Sequence, residues 1–355
     1  MRVAMPKLHA GVAAGLVAAA LFGASTPFAK RLLGEVSPLL LAGLLYAGSG
    51  IGLTLWRLVL GLRGRGDGDA SITRSDWPWL IGAVLFGGVI GPASLMLGLR
   101  HTSAAEASLL LNLERVLTAA IAWLVFRENV DRKVFLGMLV IVVGGVLLGW
   151  SPDSRTSVSL GALGIVAACL CWAIDNNLTR VVSGGDPLQI TALKGLVAGT
   201  VNIGLALGFG ASLPAWSVLL AAGAIGVVGY GISLVLFIRA LRDLGTARTG
   251  AYFSTAPFVG ASLSLLMFGD TPNWAFWVAG GLMAVGVWLH VSERHEHEHT
   301  HETLEHDHRH VHDEHHQHAH DFDWDGQEPH AHPHRHEPMT HSHPHYPDLH
   351  HRHRH

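Results

Sequence analysis

Charged side chains are scarce in this sequence. Asp, Glu, Lys and Arg make up 14% of the 355 residues, whereas 49% are hydrophobic. The apolar residues fall in uninterrupted runs close to the about 20 residues that cross a bilayer. This pattern excludes an ordinary soluble domain and predicts an integral membrane protein that spans the lipid bilayer several times.

Cysteine is almost absent. The only two, Cys169 and Cys171, lie two residues apart in an apolar run, where a helix points them away from each other. We interpret them as small packing residues, which excludes a disulfide framework.

Motifs typical of ATPases and of hydrolytic or zinc enzymes are also missing. The sequence has neither the Walker lysine pattern nor a Ser/His/Asp or zinc-enzyme constellation, and residues 1–290 contain only His9, His101 and His290. These absences exclude an ATP-driven pump and predict that the protein is not an enzyme, requires no cofactor and binds no nucleic acid.

Two internal repeats fix the predicted architecture. Residues 99–128 match 241–270 at a shift of 142, and residues 30–39 match 179–188 at a shift of 149. The apolar runs predict ten helices at about 9–29, 38–60, 78–98, 103–125, 134–150, 159–181, 188–208, 215–238, 246–268 and 274–291. Because five is odd, the two five-helix repeats must have opposite orientations. The predicted fold is therefore an all-α integral membrane protein with ten transmembrane helices in two inverted repeats, 1–150 and 151–290, followed by a tail at 291–355.

Charge asymmetry predicts the orientation. Residues 1–290 carry 19 basic and 13 acidic residues, and with a cytoplasmic N-terminus most of the arginines and lysines face the inner side. Only Lys30, Arg31, Arg100 and Arg155 then lie on the outer side. Such a bias sets orientation and predicts that both termini are cytoplasmic.

The residues at the ends of helices 1 and 6 carry a resemblance to a known family. The segments ALFGASTPFAKR (20–31) and CLCWAIDNNLTR (169–180), with the two copies at 99–128 and 241–270, resemble the EamA family of the drug/metabolite transporter superfamily. The resemblance covers about residues 10–290. It implies a ten-helix secondary transporter of the bacterial inner membrane with a small-molecule substrate, either monomeric or homodimeric.

One position departs from that family. EamA proteins often have Glu-Pro in the middle of helix 4, and here the pair is Glu114-Arg115, whereas the second repeat has Ala256-Pro257. A proline inside a helix removes one backbone hydrogen bond, so we expect helix 9 to bend at Pro257 where helix 4 carries charge instead.

Ionisable residues inside apolar spans are the sharpest functional signal. Burying one costs at least ~2.5 kcal/mol on insertion scales unless it is paired or reaches water. The predicted substrate or coupling-ion pathway comprises Glu114, Arg115, Asp175, Asn176, Lys194, Trp172 and Tyr252. Asp175 and Lys194 have similar predicted depths, which favours an ion pair between them. The alternative is that these charges form structural ion pairs that only hold helices together.

The tail has a different chemistry. It holds 23 of the 26 histidines and 14 carboxylates against five arginines, and its composition predicts disorder. Neutral imidazole suits Zn, Ni, Co and Cu. The predicted metal ligands recur at alternate positions: His295, His297, His299, His301, His306, His308, His310, His312, His332, His334, His336, His350, His351, His353 and His355.

Three functions remain open from these residues. The first is an EamA-type exporter of a small metabolite or drug that works by alternating access and has a cytoplasmic metal-binding tail. The second is a divalent-metal exporter of Ni, Co or Zn that uses the tail to collect ions. The third is a membrane-anchored metal buffer or sensor.

Overall fold

A computed structural model describes residues 5–62, 74–126, 132–149, 159–182, 186–237, 239–240, 249, 252–291, 296–301, 304–310, 330–336 and 339–344. The chain divides into two compact units, Met1–Glu293 and Arg294–His355. The first unit is built from helices, and the described residues of the second unit form short strands.

Residues 233–237 and 252–253 of the first unit are helical. Twelve further α-helices lie among the residues that the structure describes. They are α1 Met5–Leu32, α2 Pro38–Leu62, α3 Trp77–Ala83, α4 Gly91–Arg100, α5 Ala104–Leu110, α6 Leu113–Phe126, α7 Arg132–Gly149, α8 Leu160–Val181, α9 Pro187–Gly208, α10 Trp216–Ile225, α11 Ala256–Phe268 and α12 Trp274–Val291. A 3₁₀ turn, Arg74–Asp76, precedes α3.

Eight segments within the described residues are long and apolar enough to cross a membrane, and two further apolar helices, Ala256–Phe268 and Trp274–Leu289, are shorter. The long spans correspond to predicted helices 1–8, and the two shorter helices correspond to predicted helices 9 and 10. The structure therefore confirms a helical protein that crosses the membrane several times. Eight of the ten predicted spans are long enough in the described residues to cross a bilayer. Part of predicted helix 9 lies outside the described residues, and α11 by itself has 13 residues.

The third and eighth spans are interrupted at equivalent places. Each contains a seven-residue π-helical segment, Val84–Ile90 between α3 and α4 and Gly226–Ile232 after α10. The two segments are separated by the repeat shift of 142. Both repeats therefore carry the same local irregularity. In a π-helical turn the backbone hydrogen bonds depart from the usual i→i−4 pattern.

The fourth and ninth spans are also interrupted at equivalent places. Helices α5 and α6 are separated by a turn at Leu111 and Asn112, and a turn at Ser254 and Thr255 precedes α11. The sequence predicted a bend in the ninth span near Pro257, and the structure has an equivalent turn in the fourth span as well. Pro257 lies in the first turn of α11, where proline is tolerated, and in the first repeat Asn112 donates to the Leu109 carbonyl at 2.9 Å.

Glycine lets repeat-related helices approach closely. A Cβ on Gly144 of α7 would stand 3.0 Å from the Ala279 carbonyl oxygen of α12, and one on Gly286 would stand 2.7 Å from the Gly137 carbonyl oxygen. Gly144 and Gly286 are equivalent at the shift of 142, as are Gly137 and Ala279. The contact is therefore close to two-fold symmetric, and small residues of this kind drive helix association in membranes.

The second and seventh spans, α2 and α9, pack in a similar way. A Cβ on Gly50 would stand 2.4 Å from the Leu196 backbone nitrogen, and one on Gly199 would stand 2.5 Å from that of Ala47. Gly50 and Gly199 are equivalent at the shift of 149. The interface between the repeats therefore includes two pairs of equivalent helices in backbone contact.

The second unit contains short paired strands. Strands β1 Glu296–His301 and β4 Met339–Pro344 pair antiparallel, as do β2 Leu304–His310 and β3 His330–His336. Extended chains can satisfy their backbone groups by such pairing without an apolar core. The proposed ligands His295, His312, His350, His351, His353 and His355 lie outside the described residues.

Candidate functional site

Glu114 lies at the start of a helix because the fourth span is interrupted just before it. Helix α6 begins at Leu113, so the Glu114 carboxylate belongs to its first turn, where negative charge is favourable. Asn112, in the turn, is fully buried and also contacts Met283 Sδ at 3.9 Å. The interruption thus gives a charged residue a defined place near the middle of the span.

The Glu114 carboxylate binds the sixth span. Asn176 Nδ2 of α8 donates to Glu114 Oε1 at 2.9 Å and approaches Thr118 Oγ1 at 3.4 Å. Asn177 Nδ2 donates to the Thr118 carbonyl oxygen at 3.3 Å. Asn176 is exposed, so this contact lies on an accessible surface of the helices. Arg115, the next residue, interacts electrostatically with Glu114.

Asp175 binds the seventh span on the other side of α8. Lys194 Nζ of α9 donates to Asp175 Oδ2, and Thr179 Oγ1 donates to Asp175 Oδ1 at 2.9 Å. The Asp175 and Lys194 side chains are 8% and 16% exposed. The ion pair that the sequence favoured is therefore present, and it is more buried than the contact of Glu114 with Asn176.

The π-helical segment Val84–Ile90 supplies backbone acceptors beside this ion pair. The Gly87 carbonyl oxygen accepts hydrogen bonds from Tyr46 Oη at 2.8 Å and from Trp172 Nε1 at 3.0 Å. The Gly88 carbonyl oxygen accepts from Asn202 Nδ2 at 3.0 Å. Buried carbonyls need such partners, so the second, sixth and seventh spans all meet the third span at these two glycines.

The residues Glu114, Thr118, Asp175, Asn176 and Lys194 are called the polar group below. Its members come from both repeats, and their equivalents by the shifts of 142 and 149 are Ala256, Gly260, Thr26, Pro27 and Leu45, called the counterpart group. Here the helices meet through backbone: a Cβ on Gly23 would stand 2.2 Å from the Ala256 carbonyl oxygen. A cavity of about 10 Å³ lies beside this contact and is lined by Phe22, Gly23, Thr26, Ser108, Leu111, Ala256 and Pro257.

Tyr252 lies away from the contacts described for the polar group. A Cβ on Gly15 of α1 would stand 3.4 Å from Tyr252 Cβ, and the Tyr252 carbonyl oxygen accepts from Thr255 Oγ1 at 2.7 Å. The structure therefore joins five of the predicted pathway residues by hydrogen bonds to one another or to Gly87: Glu114, Asn176, Asp175, Lys194 and Trp172. Arg115 lies beside them, and Tyr252 of the ninth span packs against Gly15 of the first span.

Sequence reasoning missed four contributors, Tyr46, Gly87, Thr118 and Thr179. Thr118 and Thr179 each lie four residues after a predicted charged residue, a spacing that places side chains on one helix face and could have identified them. Tyr46 and Gly87 carried no comparable local signal, because both act through a tertiary contact.

Metal ligation is not apparent in the helical unit. Among the side chains that the structure describes, no three or more His, Cys, Asp or Glu residues are grouped so as to hold an ion. In the second unit the backbone register pairs histidine positions, namely His306 with His334, His308 with His332 and His297 with His343.

Comparison with known proteins gives relatives along most of the helical unit. The chain is 29% identical over 288 residues to an uncharacterized transporter of Methanothermobacter thermautotrophicus, covering 77% of this chain and 84% of the relative. It is 26% identical over 219 residues to the uncharacterized transporter YyaM of Bacillus subtilis, covering 56% and 68%.

A shorter relative matches about a third of the chain. It is a probable 4-amino-4-deoxy-L-arabinose-phosphoundecaprenol flippase subunit ArnE of Pseudomonas paraeruginosa, 41% identical over 116 residues, which is 31% of this chain and 94% of the relative. A solved structure described only as a crystal structure of a protein has the same fold, with a TM-score of 0.59 at 21% identity over 79% of this chain and 96% of its own.

The family assignment rests on both repeats. The EamA-like transporter family matches residues 9–150 and again residues 159–292. These two matches cover nearly all of the helical unit, in agreement with the resemblance of the helix-end segments. The protein belongs to the EamA-like transporter family, and it is a transporter rather than an enzyme.

Proposed function

We propose that this transporter exports a small metabolite or drug across the bacterial inner membrane by alternating access of two halves, residues 1–150 and 151–290. It runs on an existing gradient, requires no cofactor, acts as a monomer or homodimer and has both termini in the cytoplasm. The backbone contacts between equivalent helices support this, since inverted repeats that pack about a two-fold axis can rock against each other.

The substrate and coupling-ion pathway is formed by Glu114, Arg115, Asp175, Asn176 and Lys194, with Trp172 beside them and Tyr252 at a separate position. The observation that carries this proposal is that Glu114 of the first repeat binds Asn176 of the second. Polar side chains inside membrane spans mark ion and substrate paths, and transporter sites lie at the interface between repeats.

Arg115 is the proposed contact for an anionic group of the substrate. We expect Arg115→Ala to abolish transport while the amount of protein in the membrane stays near normal. Arg31→Ala, a change of an exposed arginine at the end of α1, is the matched control and should transport normally. If Arg115→Ala instead removes the folded protein from the membrane, its role is structural.

Growth assays on a knockout strain identify the substrate class. A knockout strain is compared with its parent across arrays of metals, amino acids and drugs, and accumulation of a phosphoundecaprenol-linked aminosugar is assayed because of the ArnE relative. A phenotype confined to metal tolerance would exclude the organic substrate and favour a divalent-metal exporter.

The tail is proposed to bind Zn, Ni, Co or Cu. The strand register supports this because it repeats histidine-to-histidine positions along both pairs of strands. Deleting residues 291–355 separates the functions: transport of an organic substrate persists under the main proposal, metal resistance disappears for a metal exporter, and all function disappears for a membrane-anchored metal buffer or sensor.

A further inference from the structure

Asp175 and Glu114 are adjacent carboxylates in the polar group with different surroundings. Glu114 shares its contact with Asn176, which is exposed, whereas Asp175 lies between Lys194 and Thr179 and is buried. Glu114 itself is half-buried, so it is less enclosed than Asp175.

The space around Asp175 Oδ2 is filled. A Cβ on Gly87 would stand 2.0 Å from this oxygen and 2.2 Å from the Asp175 Cγ, so the carboxylate lies against the backbone of the third span. Lys194 Nζ contacts the same oxygen from α9. A substrate group or a hydrated metal ion has no room there, but a proton requires almost none.

The other groups near Asp175 come from several helices. Lys194 faces it from α9, Glu114 with Arg115 beside it from α6, and Tyr46 from α2. Thr179 and Trp172 lie on its own helix. The π-helical segment presents the Gly87 backbone to the carboxylate.

We propose that Asp175 is the binding site for the coupling proton of this transporter, and that Lys194 and Thr179 are positioning residues for it. This inference rests on the proposed transport function and assigns to Asp175 the role that the pathway otherwise shares with Glu114. Glu114, Asn176 and Arg115 then remain for the substrate.

Protonation of Asp175 changes one covalent bond and one hydrogen bond at the carboxylate. A hydronium ion transfers its proton to Asp175 Oδ2: one O–H bond of hydronium breaks and leaves a water molecule, an O–H bond forms on the carboxyl group, and the hydrogen bond from Lys194 Nζ to Oδ2 breaks. The pair changes from neutral to a net charge of +1, located on Lys194. Asp175 and Lys194 both belong to the second repeat, and the Asp175 carboxylate lies against Gly87 of the first repeat. Protonation therefore changes the charge at a contact between the repeats and can favour the opposite-facing state.

The test uses the proton as the only probe. Full-length protein is reconstituted in proteoliposomes on a solid-supported membrane, and the transient charge movement after a pH jump is recorded without substrate. We expect a transient in the wild type and at least a ~10-fold smaller one in Asp175→Asn. Asp186→Asn is the matched control, because Asp186 is also buried and also pairs with a basic residue, Arg57.

Asp175→Asn leaves a buried lysine without its carboxylate and could therefore misfold. A second variant separates loss of the proton site from loss of folding. In the double variant D175N/K194Q both charges are absent, and we expect it to fold and to show no transient. A wild-type transient in D175N/K194Q would overturn the proposal, as would a transient lost in Glu114→Gln and kept in Asp175→Asn.

Thr179→Val tests positioning. Removing a hydrogen bond to the ionised carboxylate favours the protonated form, so the midpoint of the transient should move to higher pH with its amplitude preserved. An unchanged midpoint would overturn the role of Thr179.

If the transient depends on Asp175 but no solute is exported, the transport proposal fails and the proton site stands. If Asp175→Asn exports at the wild-type rate, the proton site fails and the transport proposal stands.

Discussion

The polar group and the counterpart group occupy positions related by the repeat, but only the polar group carries charged side chains. In the polar group, Asn176 donates to Glu114 and Lys194 pairs with Asp175. The counterpart group has proline, alanine and leucine at the positions of Asn176, Glu114 and Lys194. Its helices meet through backbone at Gly23 and Ala256.

The difference shows which features the repeats must share. The π-helical segments, the interrupted fourth and ninth spans and the glycine contacts of α7 with α12 recur because they set helix geometry. The charges do not recur, since a second charged pair would add another desolvation cost without being needed for the architecture. The symmetric frame therefore carries charged side chains at one set of positions and a close backbone contact at the equivalent set.

The largest effect is expected when the counterpart group is given the chemistry of the polar group. Ala256 is 1% exposed and lies against Gly23, so Ala256→Glu buries a carboxylate without a partner. We expect a loss of ~3 kcal/mol or more in stability, measured by thermal unfolding in detergent and by the yield of monodisperse protein.

Two companion variants sharpen that result. Ala256→Gln adds the same volume without charge and should be destabilised less. Adding Pro27→Asn to Ala256→Glu recreates the contact of Asn176 with Glu114 at the equivalent position and should restore part of the stability. If Ala256→Glu unfolds like the wild type, the counterpart group is not an apolar contact.

An intermediate effect is expected at the symmetric contact of α7 with α12. Gly144→Leu and Gly286→Leu should each lower stability by ~1–3 kcal/mol because both side chains would meet the facing backbone. The two losses in thermal stability should be similar. Gly281→Leu is the control, since no atom lies within 4 Å of its added Cβ. Clearly unequal losses at Gly144 and Gly286 would break the symmetry argument.

The smallest effect is expected at the ion pair of Arg57 with Asp186, 3.5 Å apart. The Arg57 side chain is 48% exposed, so Arg57→Gln should change the unfolding free energy by ~0–1 kcal/mol. Asp186→Asn is informative beside it, because the Asp186 carboxylate also accepts from the Leu188 backbone nitrogen at the start of α9. A loss at Arg57 as large as that at Ala256→Glu would contradict the view that accessible charges contribute little.

Local sequence signals predicted the charged residues better than their partners. Asp175 and Lys194 were matched by depth, and the structure pairs them. Asn176 was included in the pathway, but its bond to Glu114 depends on how α6 and α8 face each other. Tyr252 was placed on the same pathway, yet it packs near Gly15 because the rotation of its helix points it there.

The sequence alone determined the membrane location, the two repeats and the family. Run length and repeat spacing are properties of the chain, and the cost of burying charge in lipid makes each ionisable residue inside a span stand out. Only the tertiary structure decided which of these residues contact each other. Contacts such as Asp175 against Gly87 depend on helix rotation and distance, which are set by the packing of small residues between helices far apart in the sequence.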